Sequence, residues 1–182
     1  MANTHLEHPE DLILTGDLSV IDALYSESHI SVKIDGAPAI VWGTHPENGK
    51  FFVCTKSAFN KKKIKVCYTK RDVIQHFGHQ ENVALILINC LKYLPRTEGV
   101  FQGDFIGFGG SDGYKPNTIT YEFRDVVEEN IIIAPHTYYT GDCPLYEMEA
   151  HPLMGDLCET DQCKFVQPFV DRIHKNISAP QI

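Results

Sequence analysis

The sequence predicts an α+β domain, with antiparallel sheet as its framework and a few helices flanking it. Three observations predict it. Apolar runs of strand length recur at 29–35, 39–42, 51–55, 99–108, 117–123 and 130–139. Turn-forming pairs, Asp35-Gly36 and Asn48-Gly49, separate the first of them at hairpin distance. One long apolar stretch at helical spacing, 72–94, stands between the two groups of strands.

The elements follow in order. Thr4 and Glu7 form a capping-box pattern with Pro9 in the first turn, so a short helix is predicted over 9–14. Asp17 is placed to cap a second helix running to about Tyr25. Residues 29–56 then read as an antiparallel meander: Ile30, Val32 and Ile34 on one face of a first strand, Ala39 to Trp42 in a second, Phe51 to Thr55 in a third. The helix over 72–94 is predicted to break near Gly78 and to end at Pro95. Strands are predicted at Gly99–Phe108, Asn117–Phe123 and Asn130–Tyr139, the first two joined by a loop rich in Gly, Ser and Asp. After Gly141 the periodicity fades and Pro144, Pro152, Pro168 and Pro180 recur, so this tail reads as irregular with one or two short helices. The chain of 182 residues fits one domain, with its core at about 29–140 and an irregular tail over 141–182.

Composition narrows the function. At 43% hydrophobic and 22% charged the chain can bury a core, which excludes a disordered coat. Its net charge of −8 excludes general nucleic-acid binding but not a local basic patch. Such a patch exists: Lys56, Lys61, Lys62, Lys63, Lys65, Lys70 and Arg71 put seven of the sixteen basic residues between 56 and 71. It is a candidate phosphate or nucleic-acid contact, the alternative being a solvated loop. No apolar run reaches membrane-spanning length and the N-terminus lacks the basic-then-apolar order of a signal peptide, so a cytoplasmic protein is expected. The six cysteines, three of them in apolar strand or helix patterns, suit reduced core thiols.

The segment richest in chemical meaning is Ser31-Val32-Lys33-Ile34-Asp35-Gly36. A lysine at the end of an apolar strand, just before a tight Asp-Gly turn, is partly desolvated, which favours its neutral and nucleophilic amine. Gly36 leaves room for a ligand to approach the backbone. The bland alternative is a strand-end lysine pointing to solvent.

This segment resembles motif I, Lys-x-Asp-Gly, of the covalent nucleotidyltransferases: ATP-dependent DNA ligases, RNA ligases and mRNA capping enzymes. Further matches follow in family order. Thr55-Lys56-Ser57 is similar to motif Ia, Gly99-Val100-Phe101-Gln102-Gly103-Asp104 to motif III, Ile119 to Phe123 to the motif whose aromatic residue stacks on the base, and Glu129-Asn130-Ile131-Ile132-Ile133 to motif IV. The resemblance implies a nucleotidyltransferase-like fold in which the sheets line a nucleotide cleft. It implies that Lys33 attacks ATP and becomes a lysine–AMP, with Asp35 beside it, and that AMP passes to a nucleic-acid 5′-phosphate. Ser31, Gly36, Lys56, Asp104 and Phe123 would surround the nucleotide, and Asp104 and Glu129 would hold Mg²⁺. The Lys33 amine is then expected within about 10 Å of Asp104, leaving room for a phosphate and a metal.

The match departs from the family in places. Ala37-Pro38 follow motif I where a ribose-binding Arg or Asn is common, Ala134 stands where motif IV has a basic residue, and Lys164 is the sole candidate for motif V. His136 is an alternative working residue for the motif IV strand. No OB-fold follows. The stretches EHPEDLI, KIDGAPA, NGKFFVCTKS and QGD also resemble uncharacterised proteins of tailed marine phages over most of the chain to about Tyr139, which would make the cytoplasm that of a host cell.

Other readings stand beside this one. A catalytically inactive or truncated ligase-like domain would bind nucleotide or nucleic acid without turnover, and an interaction protein would carry Lys33 incidentally. Cys143, His151, Cys158 and Cys163 have irregular spacing for zinc. His5 and His8 read as surface residues at a helix start. The Gly-rich loop after Phe108 joins two strands rather than a strand and a helix, so it is not a phosphate-cradling loop.

Overall fold

The computed structural model describes residues 13–19 and 38–167. Among these, the protein is α+β, as its periodicity predicts. Strands β1 (Ala39–Thr44) and β2 (Phe51–Cys54) form a hairpin. Helices α1 (Lys70–Phe77) and α2 (Glu81–Tyr93) follow. Then come β3 (Val100–Phe108), the two-residue strands β4 (Gly113–Tyr114) and β5 (Tyr121–Glu122), β6 (Ile131–Thr140), β7 (Glu149–Pro152) and β8 (Cys163–Phe165). The main sheet runs β2-β1-β3-β6-β7, with β8 also on β6.

Local chemistry explains most boundaries. His45 N–H donates to Lys50 O and Gly49 N–H to His45 O, with Gly49 at φ +68, so Asn48-Gly49 turns the β1–β2 hairpin as its sequence predicts. Helix α1 opens with a full capping box between Thr69 and Asp72. The predicted break near Gly78 separates α1 from α2, and α2 stops at Leu94, where extended backbone leads into Pro95. Asp17 accepts hydrogen bonds from the amide and hydroxyl of Ser19 at 3.0 and 2.6 Å, the local bonding expected of a helix cap. The strand expected over 29–35, and most of the two N-terminal helices, lie outside the described residues.

Three expectations are corrected. The segment after Gly141 is not merely irregular, for it adds β7 and β8 to the main sheet. These strands are only four and three residues long, too short for a periodic signal, and pairing with β6 is what orders them. The pairing of β8 with β6 is parallel, so the sheet is not wholly antiparallel. Of the strand expected over 117–123, only Tyr121–Glu122 is extended and paired, against Gly113–Tyr114. Asn117, Thr118 and Thr120 offer side chains that compete for backbone hydrogen bonds: Asn117 Oδ1 accepts from Ile119 N–H.

The sheet has two buried faces. One packs against α1 and α2 through Ile40, Trp42, Val53, Val73, Leu87, Cys90, Ile131 and Ile133. Trp42 is stacked 6.0 Å from both Phe101 and Phe165, which ties β8 to the central strands. The other face carries Ile106, Val127, Ile132 and Ala134 under Tyr114, Ile119, Tyr121, Phe123 and Val166. The two faces explain why β6 reads as a run of aliphatic residues: Ile131 and Ile133 point to one core, Ile132 and Ala134 to the other. Cys54, Cys67, Cys90 and Cys163 are buried, Cys143 is half-buried, Cys158 is exposed, and all six are free thiols. No helix among the described residues is long and apolar enough to cross a membrane.

Candidate functional site

The second face carries a buried acid–base pair. Asp104, 5% exposed, sits in the middle of β3 opposite Ala134. Its Oδ2 lies 3.6 Å from Nε2 of His136. A β-bulge makes this meeting. Gln102 pairs with Thr137 and Gly103 with Pro135, so His136 is an extra residue on β6 with no partner on β3. A bulge re-aims its side chain, here toward the carboxylate one step along the neighbouring strand. Gly103 allows the close approach: a Cβ there would lie 2.6 Å from Ala134 O and 2.8 Å from Pro135 Cα. The other ring nitrogen of His136 is 2.6 Å from Thr137 Oγ1.

Tyr121 completes the pair's surroundings. Its phenol oxygen is buried without a hydrogen-bond partner among the described residues. Burial, and then the Asp104 carboxylate, push its ionisation up to about 12. A buried phenol beside a carboxylate stays protonated, and remains a donor for a group that enters.

Farther along the same face, Lys164 on β8 stands opposite Ile132. Its Nζ lies 3.8 Å from Glu129 Oε1 and 5.7 Å from the ring centre of Phe123. Phe123, Glu129 and Lys164 line an open cavity of about 500 Å³ together with Arg124 and Asp161. A cation, a carboxylate and an aromatic ring around one cavity can receive a planar, polar ligand.

The site residues expected from sequence are placed as follows. Asp104 is buried in the sheet beside His136. Phe123 lies on the same face, packed edge-on against Tyr114 with centroids 5.9 Å apart. Glu129 precedes β6, whereas Asp104 pairs with Ala134 five positions on, so the two are about 15 Å apart along the strand. They do not converge on one metal ion. Lys56 is exposed just after β2 and lines a second cavity, about 280 Å³, with Pro38, Ala39, Ile40, Thr55, Val83 and Ile86. That cavity is bordered by Val83 and Ile86 of α2, and Asp104 does not line it, although Ala39, which does, pairs with Asp104. Ser31, Lys33, Asp35 and Gly36 lie outside the described residues. Tyr121 was hidden in the sequence because a tyrosine beside Phe123 reads as packing. His136 had only its basic character to mark it, since the bulge that aims it has no sequence signature.

The zinc set considered from sequence does not assemble. His151 Nε2 is 2.7 Å from Thr140 Oγ1 and Cys163 is in the core, while Cys158 is exposed.

Residues 3–181 match the family described as "Family of unknown function (DUF6267)". No curated protein and no solved structure matches the chain.

Proposed function

We propose, for a chain that belongs to the DUF6267 family of unknown function, that it is a covalent nucleotidyltransferase of the ligase type. The observation that carries this reading is the gathering of Asp104, Tyr121, Phe123, Glu129 and Lys164 on one sheet face. Asp104, Tyr121, Phe123 and Glu129 fall in segments similar to motif III, the base-stacking motif and motif IV of that superfamily, and Lys164 is the sole candidate for motif V. Ala39, six residues after Lys33 in the sequence, pairs with Asp104. Six residues span at most about 20 Å, so the proposal requires the Lys33 amine to lie within that reach of Ala39.

In the proposed reaction, Lys33 Nζ forms a bond to the α-phosphorus of ATP as the bond to the departing pyrophosphate oxygen breaks. The amine proton passes to solvent. A nucleic-acid 5′-phosphate oxygen then attacks the same phosphorus and the lysine is released. Asp104 orients the ribose or a hydrated Mg²⁺, and Phe123 offers its ring to the base. The donor set suits an ion held mainly by ATP phosphates and water, because Asp104 is the one carboxylate beside His136 among the described residues. Bound Mg²⁺ would offset phosphate charge. The basic stretch from Lys56 to Arg71 is the candidate contact for the nucleic-acid strand, with Lys61, Lys62 and Lys63 exposed. ATP and nucleic acid as reactants suit a cytoplasmic setting, that of the host if the chain is viral.

A second reading has its own support. Glu129 is paired with Lys164 at 3.8 Å rather than with Asp104, which suits a domain that binds nucleotide without transferring it. Incubation with α-labelled ATP and Mg²⁺, followed by denaturing electrophoresis, separates the two. Acid-labile label on the wild type and none on Lys33→Ala supports transfer. Saturable ATP binding without label supports the second reading, and neither label nor binding overturns both.

A further inference from the structure

At the opposite end of β1 from Ala39, three side chains of metal-ligating type come together. His45, Glu47 and Cys143 each offer one ligand atom, and these atoms all lie within 4.8 Å of one another. His45 Nδ1 and Cys143 Sγ are 3.8 Å apart, although the residues are 98 positions apart in sequence. We propose that His45, Glu47 and Cys143 form a binding site for a borderline-soft divalent metal ion, with Zn²⁺ as the natural occupant.

The geometry fits such an ion. Zinc–nitrogen bonds of about 2.0–2.1 Å and zinc–sulfur bonds of about 2.3 Å, at the tetrahedral angle, put N and S about 3.5 Å apart. The observed 3.8 Å needs a contraction of a few tenths of an ångström, within reach of the half-buried Cys143 side chain. Glu47 is exposed at the hairpin tip and free to swing its carboxylate toward the other two. Three protein ligands leave a fourth position for water.

The donor set selects the metal class. One imidazole, one thiolate and one carboxylate suit Zn²⁺ or its spectroscopic substitute Co²⁺, whereas Mg²⁺ and Ca²⁺ require oxygen shells. The imidazole is fixed in advance. His45 is buried, with its ring centre 5.6 Å from that of Phe52 and 6.2 Å from that of Tyr68. Burial also lowers its tendency to take a proton, which leaves a ring lone pair available. Without metal, Nδ1 accepts a long 3.2 Å hydrogen bond from the Glu47 amide, a contact that the ion would replace.

The thiol is the group the ion changes most. Burial, with the Glu47 carboxylate nearby, raises the Cys143 pKa, so the free site holds a neutral thiol. A divalent ion reverses the local charge, and the thiol proton leaves to solvent as the metal–sulfur bond forms.

The site has a structural consequence. His45 and Glu47 belong to the β1–β2 hairpin, and Cys143 to the loop after β6. Strand β3 lies between β1 and β6. A bound ion therefore clips two loops together across the end of β3, near Val100, whose partners are Gly43 and Tyr139. It is also separate from the proposed nucleotide site: His45, just past the end of β1, is six residues from Ala39 at its start, about 20 Å along the extended strand.

The test is titration of the metal-free full chain, kept reduced, with Co²⁺ alone. One equivalent should give a thiolate-to-cobalt charge-transfer band in the near ultraviolet, which one equivalent of Zn²⁺ removes. Cys143→Ser should abolish the band, and Cys158→Ser, at the exposed thiol, should leave it unchanged. Glu47→Gln, a change at an exposed position, should keep the band and weaken Co²⁺ binding by about tenfold or more. No band in the wild-type chain, or a band that survives Cys143→Ser, overturns the site. So does a Glu47→Gln chain that binds Co²⁺ like the wild type. None of these readouts depends on ATP, so the metal site and the nucleotidyltransferase reading stand or fall separately.

Discussion

His136 Nε2 meets Asp104 Oδ2 at 3.6 Å because β6 carries one more residue than β3 at that point. A regular ladder would have set His136 directly opposite a β3 residue. The bulge instead turns its ring toward the acid, on a face already occupied by Tyr121 and Phe123.

If Asp104 orients the nucleotide, Asp104→Asn keeps the side chain's shape and removes its charge. ATP-dependent labelling of the protein is expected to fall about 10²-fold, with a thermal midpoint within a few degrees of wild type. Quantitative gel labelling beside a melting curve checks both. Labelling at the wild-type rate would remove Asp104 from the site.

Gly103→Ala tests the bulge itself. The added Cβ would meet backbone atoms at 2.6 and 2.8 Å, which no rotamer change relieves. A loss of about 1–3 kcal/mol is expected from such overpacking, measurable by urea denaturation. In the same variant the chemical shifts of His136 should move, since its strand must withdraw. A variant as stable as wild type, with His136 unmoved, would contradict the close approach at Gly103.

The buried thiols set an alkaline limit. Burial pushes Cys54 up to about 11 and Cys67 and Cys163 up to about 12, from an ordinary value near 9. For an acid whose pKa is raised by folding, the full stability is present below the unfolded value. Above pH 9 the unfolded chain releases these protons first, so stability declines from about pH 9 and is lost as pH rises through 11 to 12. The thermal midpoint should therefore fall steadily across that window, and less steeply in Cys54→Ala.

Thiol reagents should report the same burial at neutral pH. Cys158 is exposed and should react quickly, whereas Cys54, Cys67, Cys90 and Cys163 should react only on unfolding. Mass spectrometry of briefly labelled protein gives the order. Rapid modification of Cys90, at the centre of the helix-facing core, would contradict the packing of α2.

Replacing Lys61, Lys62 and Lys63 together by glutamate tests the basic stretch as a nucleic-acid contact. Binding to a single strand should weaken at every sequence alike, and its salt dependence should become shallower. An unchanged affinity and slope in fluorescence anisotropy would leave these lysines as a solvated loop.

Much of the fold was legible because its signals are local. The Asn48-Gly49 hairpin, the Thr69–Asp72 cap and the stops at Gly78 and Pro95 lie within a few residues of the elements they shape. The candidate site was legible only in its parts. Asp104 and Phe123 could be named from their motifs, but the distance between Asp104 and Glu129 depends on how β3 and β6 pair along their length.

The class of the fold, the first hairpin and the two helices follow from sequence alone. Tertiary structure alone decided that β7 and β8 join the sheet, that His136 turns to Asp104, and that the Tyr121 hydroxyl is buried on the same face. It alone brought His45 within 3.8 Å of Cys143. The physical reason is range: turns, caps and periodicity act between near neighbours, whereas a bulge, a strand of three residues and a side-chain cluster exist only once distant segments pack.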